Sequence, residues 1–426
     1  MPPKLIDDCF RPGTERMAHA DAIALLKSRV HPIAATETVA LAQAAGRVLA
    51  GSVTAERAVP AHTNAAVDGF AFDHSTYRLA AARPMPVAGR AAAGRPLVAA
   101  VTPGLAARIL TGAVLPDGTD TVAMQEDVEV NADGTVVIPA GLKPGANVRL
   151  AGEDVSVGQT LLQAGRVLRP QDLAALASIG RDEVTCHKRL RVGIVSTGDE
   201  IVRVGQRALG AGDVYDANAP MLTALIQAAG AEPVDLGVWP DRREDIATRL
   251  AGAAPAVDVM ITSGGASRGD EDHMAAAIDA IGERHFWQLA IKPGRPMMLG
   301  RVGETAVIGL PGNPVAVFVC FLMYAYPLLR RLGGADWIEP RRYMLPAAFE
   351  IASRKTGRRE FWRSMLVGGG DGASLAADKF ARDGSGLISG LCAADGLIDI
   401  GEDVAAVRRG DPVAFIPLSE FGIPRG

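Results

Sequence analysis

The sequence predicts a multidomain chain of α/β and β architecture. It comprises a three-layer α/β domain with a mostly parallel sheet, an inserted β-rich domain, a linking domain and a C-terminal β-barrel. Three observations predict this. Over 190–334, apolar strand-like runs alternate with helical patterns, as in a parallel sheet covered on both faces. Short β-prone runs broken by Gly, Pro and Asp turns fill 58–158 and return over 335–426. The length, 426 residues, exceeds what one hydrophobic core organises.

Each element follows from a local pattern. Met17, Ile23, Leu25 and Leu26, with Asp21 nearby, predict an amphipathic helix, and a second is expected over 41–49, broken by Gly46 or Gly51. PMPVAG, GRPL, TPG, LPDGTDTV and NADGTVV predict the small β domain of 58–158. Residues 173–179 read as a helix with Gly180 as its C-cap. Packed back on the N-terminal segment, it makes the β domain an insertion, so 1–57 and 159–189 form one linking unit. RVGIVST is a strand, 221–229 a helix capped by Gly230, and PVDLGVW a strand. Asp241 and Glu244 resemble a capping box for a helix through Leu250. VDVMITSGG and TAVIGLPG are buried strands, and Pro314 opens a long apolar helix. GGGDG, KFARDGSG and IDIGEDVAAVRRGDPVAFIPL suggest the barrel of 335–426.

Composition excludes several classes. With 48% hydrophobic and 22% charged residues the chain reads as soluble and globular. A net charge of −4 argues against a nucleic-acid partner, and the one dense basic run, Arg354, Lys355, Arg358 and Arg359, reads as a solvated face. Cys9, Cys186, Cys320 and Cys392 lie too far apart for a CxxC site. The start has no apolar signal core, and the apolar stretch 315–329, interrupted by Pro327, reads as a buried helix rather than a membrane span. A reducing, cytoplasmic location with no membrane contact is expected.

Three α/β strands end in loops of one kind: STGDE at 196–200, TSGG at 262–265 and LPGNP at 310–314. Glycine there lets backbone approach a ligand with no Cβ in the way. Ser196, Thr197, Gly198, Ser263, Gly264, Gly265, Pro311, Gly312, Asn313 and Pro314 are therefore candidate substrate-binding residues. Asn313 and Pro314 also suit a helix start whose free N–H groups attract anions. In IKPGRP, Lys292 and Arg295 add cations suited to phosphate or another oxyanion. Asp68, Glu153, Asp154, Asp199, Glu200, Asp241 and Asp272 supply carboxylates. Acids beside a phosphate-binding face are how proteins hold Mg²⁺, and Glu200 and Asp241 are the metal candidates. His62, His187, His273 and His285 are scattered, which argues against zinc. A Walker A motif and a strand-following GxGxxG are both missing. The residues alone thus describe an anion-binding α/β enzyme using Mg²⁺, with its substrate unnamed.

The sequence also resembles the molybdopterin molybdenumtransferases, which include the E domain of gephyrin. The resemblance runs from about residue 17 to 420 through NAAVDGFA, RILTGAVLP, VAMQEDV, AGEDVSVG, RVGIVSTGDEIV, VYDAN, ITSGGASRGDED, FWQLAIKPGRP, GLPGNPVA and KTGRREF. It implies four domains, the linking one elongated and the α/β one binding molybdopterin. It implies a homodimer whose cleft lies between the α/β domain of one subunit and the insertion of the other. The implied reaction takes adenylyl-molybdopterin and molybdate to molybdenum cofactor and AMP, with Mg²⁺ or a similar divalent cation. By motif, Asp68, Thr111 and Asp154 match catalytic positions on the inserted side, and Glu200, Asp241, Asp272 and Lys292 match those on the α/β side. Pro311 and Pro314 match the PGNP turn, and Ser385 of RDGSG matches a family serine. Ala65, Val67 and Ala151 depart from common family residues, and Gln288 stands where a basic residue is common, with Arg268 the expected substitute.

A molybdopterin adenylyltransferase, the pathway neighbour, needs only the α/β domain, so the motifs outside it favour the transferase. A scaffold like gephyrin would need a further fused domain and linker, so that role is not expected here.

Overall fold

The computed structural model describes residues 16–79, 83–264, 273–368 and 374–425, so Gly265, Arg268 and Asp272 lie outside the described residues. At its centre is a six-stranded sheet in the order Glu232–Trp239, Arg191–Thr197, Val259–Ser263, Thr305–Leu310, Pro296–Val302, Glu283–Gln288. The first four strands run parallel, and each of the last two pairs antiparallel with the strand before it. Val192, Ile194, Ile261 and Ile308 face one core with Leu222 and Ile226 of the Asn218–Ala228 helix. Val195, Met260 and Val307 face the other, with Ile246 and Leu250 of Arg243–Ala253 and Met274 and Ile278 of His273–Ile281. Burial on both faces is why these strands read as unbroken apolar runs. Each such buried aliphatic side chain contributes roughly 1.5–3 kcal/mol.

The apolar segment Pro314–Leu332 is a core helix, 83% buried in its most apolar window. A π-turn at Phe321–Ala325 precedes Pro327, whose missing N–H interrupts the regular ladder. Gly180 and Gly230 follow their helices at φ +83° and +85°, as the patterns predict. The Arg243–Ala253 helix departs from expectation: its N-cap is Arg242, with no side-chain cap bond, rather than Asp241.

The N-terminal helix His19–Arg29 packs Ala22 and Leu26 into the α/β core. No second helix follows over 41–49. Leu41–Gln43 is a single 3₁₀ turn, and Val48 and Leu49 form β-bridges to Val167 and Cys186. Leu49 and Ala44 are buried there with Leu176 of the Pro170–Ser178 helix, so tertiary pairing overrides helical propensity. Thr36–Ala40 pairs with Glu183–His187, and Val53–Thr54 with Thr160–Leu162. The chain therefore leaves this unit and returns to it. Between lies a four-stranded sheet, Val87–Ala91, Ala106–Ile109, Gly69–Phe72, Thr121–Met124.

In the C-terminal sheet, Ala376–Lys379, Arg359–Val367, Gly396–Ile400, Pro412–Pro417 and Tyr343–Pro346 are neighbours in that order. Its ends meet at one bridge, where Ala348 N–H donates to Ala377 O at 2.9 Å, around a core of Trp362, Ile398 and Phe415. The ends of this sheet thus approach at a single bridge, and the described strands do not form a fully closed barrel.

The basic run is not a solvated face. Arg354 donates to Gly401 O and Arg358 O (3.0 and 2.6 Å), Arg358 to Glu360 (3.0 Å), and Arg359 to both oxygens of Asp399 (2.6 and 3.1 Å). Two buried carboxylates need these counter-charges, and Lys355 alone of the run is fully exposed.

Candidate functional site

The three glycine loops converge at one sheet edge because their strands are neighbours in register: Ser196 pairs with Ser263, and Ser263 with Leu310. Gly264 N–H donates to Leu310 O at 3.1 Å, and a Cβ on Gly264 would lie 2.8 Å from Thr197 Oγ1. Gly312 packs against Gly264. Ser196 Oγ donates to buried Asp216 at 2.5 Å. The other Asp216 oxygen accepts from the N–H groups of Asn218 and Ala219 (3.1 and 2.9 Å), capping that helix. Asn218 Nδ2 then donates to Gly312 O at 2.7 Å, tying the helix to the LPGNP loop. The Ser196 hydroxyl therefore works inside the wall of the cleft. Ser263 and Thr197 are buried beside it.

Acids rim this edge. The Glu200 carboxylate folds over Gly198, where an added Cβ would come within 2.5 Å of it. Asp199 accepts from Asp241 N–H at 3.3 Å, joining the ends of adjacent strands. Among the described residues no three His, Cys, Asp or Glu gather to hold a metal by themselves. Two carboxylates completed by substrate oxygens are nonetheless a donor set that suits Mg²⁺.

The expected anion-binding helix start is corrected. Asn313 makes no side-chain cap bond, Pro314 has no N–H, and Val315 N–H donates to Ser385 O at 2.9 Å. The first amide is thus satisfied by the C-terminal domain.

That contact borders a cavity of about 530 Å³ between the α/β and C-terminal domains. Its wall joins Lys292 and Arg295 of IKPGRP, Pro311, Gly312 and Asn313 of the third loop, and Arg363, Lys379, Asp383 and Ser385. Pro314 lies beside Asn313, outside the lining. Lys292 lies opposite Glu360 in a parallel strand pair, with Nζ 3.7 Å from Oε2. Burial alone would raise the Glu360 pKa, but a Trp362 hydrogen bond (2.9 Å), Lys292 and Arg358 outweigh it and hold the carboxyl below its ordinary range. Arg363 is only 7% exposed, yet it lines the cavity. Its guanidinium donates to Leu387 O and Arg382 O (2.6 and 2.9 Å) and lies 5.0 Å over the Phe380 ring. No carboxylate pairs with it among the described residues. Burial lowers its pKa, but a guanidinium stays charged at neutral pH.

Arg363 and Lys379 were not among the residues the motifs singled out. A lone Arg inside the apolar run EFWRSML was the available signal, since buried charges are rare unless used. Gln288 is partly buried opposite Pro296 and does not line the cavity.

The inserted domain carries the remaining group. Thr111 donates to Asp68 Oδ1 through its hydroxyl (2.6 Å) and its N–H (2.7 Å). The hydroxyl bond foremost, then the N–H, holds this exposed carboxyl below its ordinary range. Asp154 is exposed, with its N–H bonded to Val59 O at 3.1 Å. None of these three lines the cationic cavity. A larger cavity, about 820 Å³, lies at the opposite sheet edge beside Asp258 and Thr305, away from every candidate site residue.

Comparisons with known proteins cover nearly the whole chain. Three family models match in order: the MoeA N-terminal region (domain I and II) over 17–180, the "Probable molybdopterin binding domain" over 193–331, and the MoeA C-terminal region (domain IV) over 345–418. A molybdopterin molybdenumtransferase of Haemophilus influenzae is 35% identical, covering 91% of this chain and 95% of that one. Gephyrin of Dictyostelium discoideum is 32% identical over 53% of this chain and 35% of its own length. The crystal structure of the molybdopterin biosynthesis moeA protein from Pyrococcus horikoshii OT3 matches with a TM-score of 0.81 at 30% identity, covering 95% of this chain and 100% of that one.

Proposed function

The chain belongs to the molybdopterin molybdenumtransferases, and on that premise we propose that it inserts molybdate into adenylyl-molybdopterin with release of AMP. The observation that carries this reading is the cavity that brings Lys292, Arg295, Arg363 and Ser385 together beside the three-loop edge. Arg363 is a buried charge with no carboxylate partner, and a molybdate dianion would supply one. The converging glycine loops leave room for the substrate's backbone-contacted portion, with its phosphates toward the acidic rim. A divalent cation held there by Glu200 and Asp241 would neutralise phosphate oxygens as the diphosphate bond breaks. Lys292, held beside Glu360, favours the negative charge that develops on the departing phosphate.

Thr111 and Asp154 are exposed and Asp68 partly exposed on the insertion, and none of them lines the cavity, which supports a homodimer in which a second copy presents them. The insertion and C-terminal domain disfavour the adenylyltransferase reading. Cytoplasmic location stays part of the proposal.

Purified protein incubated with adenylyl-molybdopterin, Mg²⁺ and molybdate should release AMP and form metal-loaded cofactor together. AMP release that ignores molybdate, or cofactor formed without AMP, would overturn the reading.

A further inference from the structure

Four cations line the cavity, Lys292, Arg295, Arg363 and Lys379, and two carboxylates lie against them, Glu360 at Lys292 and Asp383 at Lys379. Glu360 lies outside the lining and is shared with Arg354 and Arg358 behind the wall, so Asp383 is the one carboxylate among the described residues that lines the cavity with these four cations.

The two acids differ in kind. Glu360 is buried and braced by Trp362 and Arg358, a fixed part of the wall. The Asp383 side chain is 65% exposed at the mouth, and its one ion-pair partner among the described residues is Lys379 at 2.6 Å, itself only 10% exposed. Asp383 sits between Arg382 and Gly384, whose carbonyls both accept from Arg363 (2.9 and 3.3 Å). The Lys379 hydrogen bond, and then the charges of Lys379, Lys292 and Arg363, hold its carboxyl below the ordinary range. It is therefore ionised at neutral pH, and its field falls on the cations that an incoming anion would use.

We propose that Asp383 is a selectivity residue, which offsets Lys379 and so lowers the cavity's affinity for anions in proportion to their charge, favouring a dianionic oxyanion over more highly charged phosphates. The proposal rests on the cavity being the oxyanion site. Coulomb energy scales with the product of charges, so removing the Asp383 charge strengthens binding of every anion, and of a trianion most.

The test titrates full-length protein calorimetrically with molybdate, sulfate and pyrophosphate, without divalent cation and at one ionic strength, because exposed charges are screened. Asp383→Asn is expected to bind molybdate and sulfate about tenfold tighter, and pyrophosphate to gain more than either. Lys379→Met should weaken all three, and the double variant should return toward the parent, since the two removed charges cancel. Asp383→Asn that binds no tighter overturns the proposal, as does equal tightening of all three anions. Parent binding that survives Arg363→Ala unchanged overturns the cavity assignment itself, and with it this proposal.

Discussion

Cys320 lies directly beneath Gly294: its Sγ donates to the Gly294 carbonyl at 3.4 Å, and a Cβ on Gly294 would lie 2.2 Å from that sulfur. Gly294 also stands at φ +100°, a region side chains avoid. Burial raises the Cys320 thiol to about 12, so it stays a protonated donor. The core helix thereby fixes the loop that carries Lys292 and Arg295.

Gly294→Ala should cost roughly 1–3 kcal/mol from collision and backbone strain, and should weaken oxyanion binding as the loop shifts. Adding Cys320→Ala removes the collision but not the strain, so part of the loss should return. Melting temperature and molybdate titration check this. A double variant no better than the single one would show that the sulfur contact is irrelevant.

Thr111→Val removes the hydroxyl bond to Asp68 and keeps the N–H bond. Because these bonds favour the carboxylate, losing the stronger influence should raise the Asp68 pKa. Carbon-detected NMR titration should show the rise, and AMP release should lose its acidic limb at higher pH than in the parent. An unmoved Asp68 titration would contradict the assignment of cause.

Much of this arrangement was legible in sequence where one signal dominated. RVGIVST, VDVMITSGG and TAVIGLPG read as buried strands because both their faces meet helices, and adjacency then brought their loops together. Residues 41–49 misled because Leu49 is buried by pairing with Cys186, far away in the same chain, a partner no local pattern reveals. Arg354, Arg358 and Arg359 misled likewise, since their counter-charges Glu360 and Asp399 become interior only when the C-terminal sheet forms. The Val315–Ser385 bond and the Cys320–Gly294 contact also join segments distant in sequence.

Glu200 is exposed at a strand end, so Glu200→Gln should keep the melting temperature within a few degrees of the parent while losing AMP release. Asp68→Asn should be inactive too. If a second copy completes the cleft, subunit exchange between the two inactive proteins should restore some activity, because one site in the mixed dimer holds both intact residues. Mass-verified heterodimers that stay inactive would count against a shared site.

His19 offers a pH-dependent test of how the N-terminal helix joins the core. Its ring is buried, with Nδ1 2.8 Å from the Tyr324 hydroxyl and its edge set against Phe361. Burial first, then the Arg359 charge, lowers its pKa to about 4 from the ordinary 6.5. Above pH 6.5 the imidazole is neutral folded and unfolded, and stability is greatest. Between 6.5 and 4 the unfolded chain takes up a proton that the folded one refuses, so stability falls, by about 3 kcal/mol over the whole window. His19→Gln cannot titrate. It should be less stable than the parent at pH 7.5, where packing and the Tyr324 bond are impaired, yet the difference should shrink or reverse at pH 4.5. Melting temperatures of both proteins at the two pH values decide it, and a difference that is the same at both would show that the His19 proton plays no part.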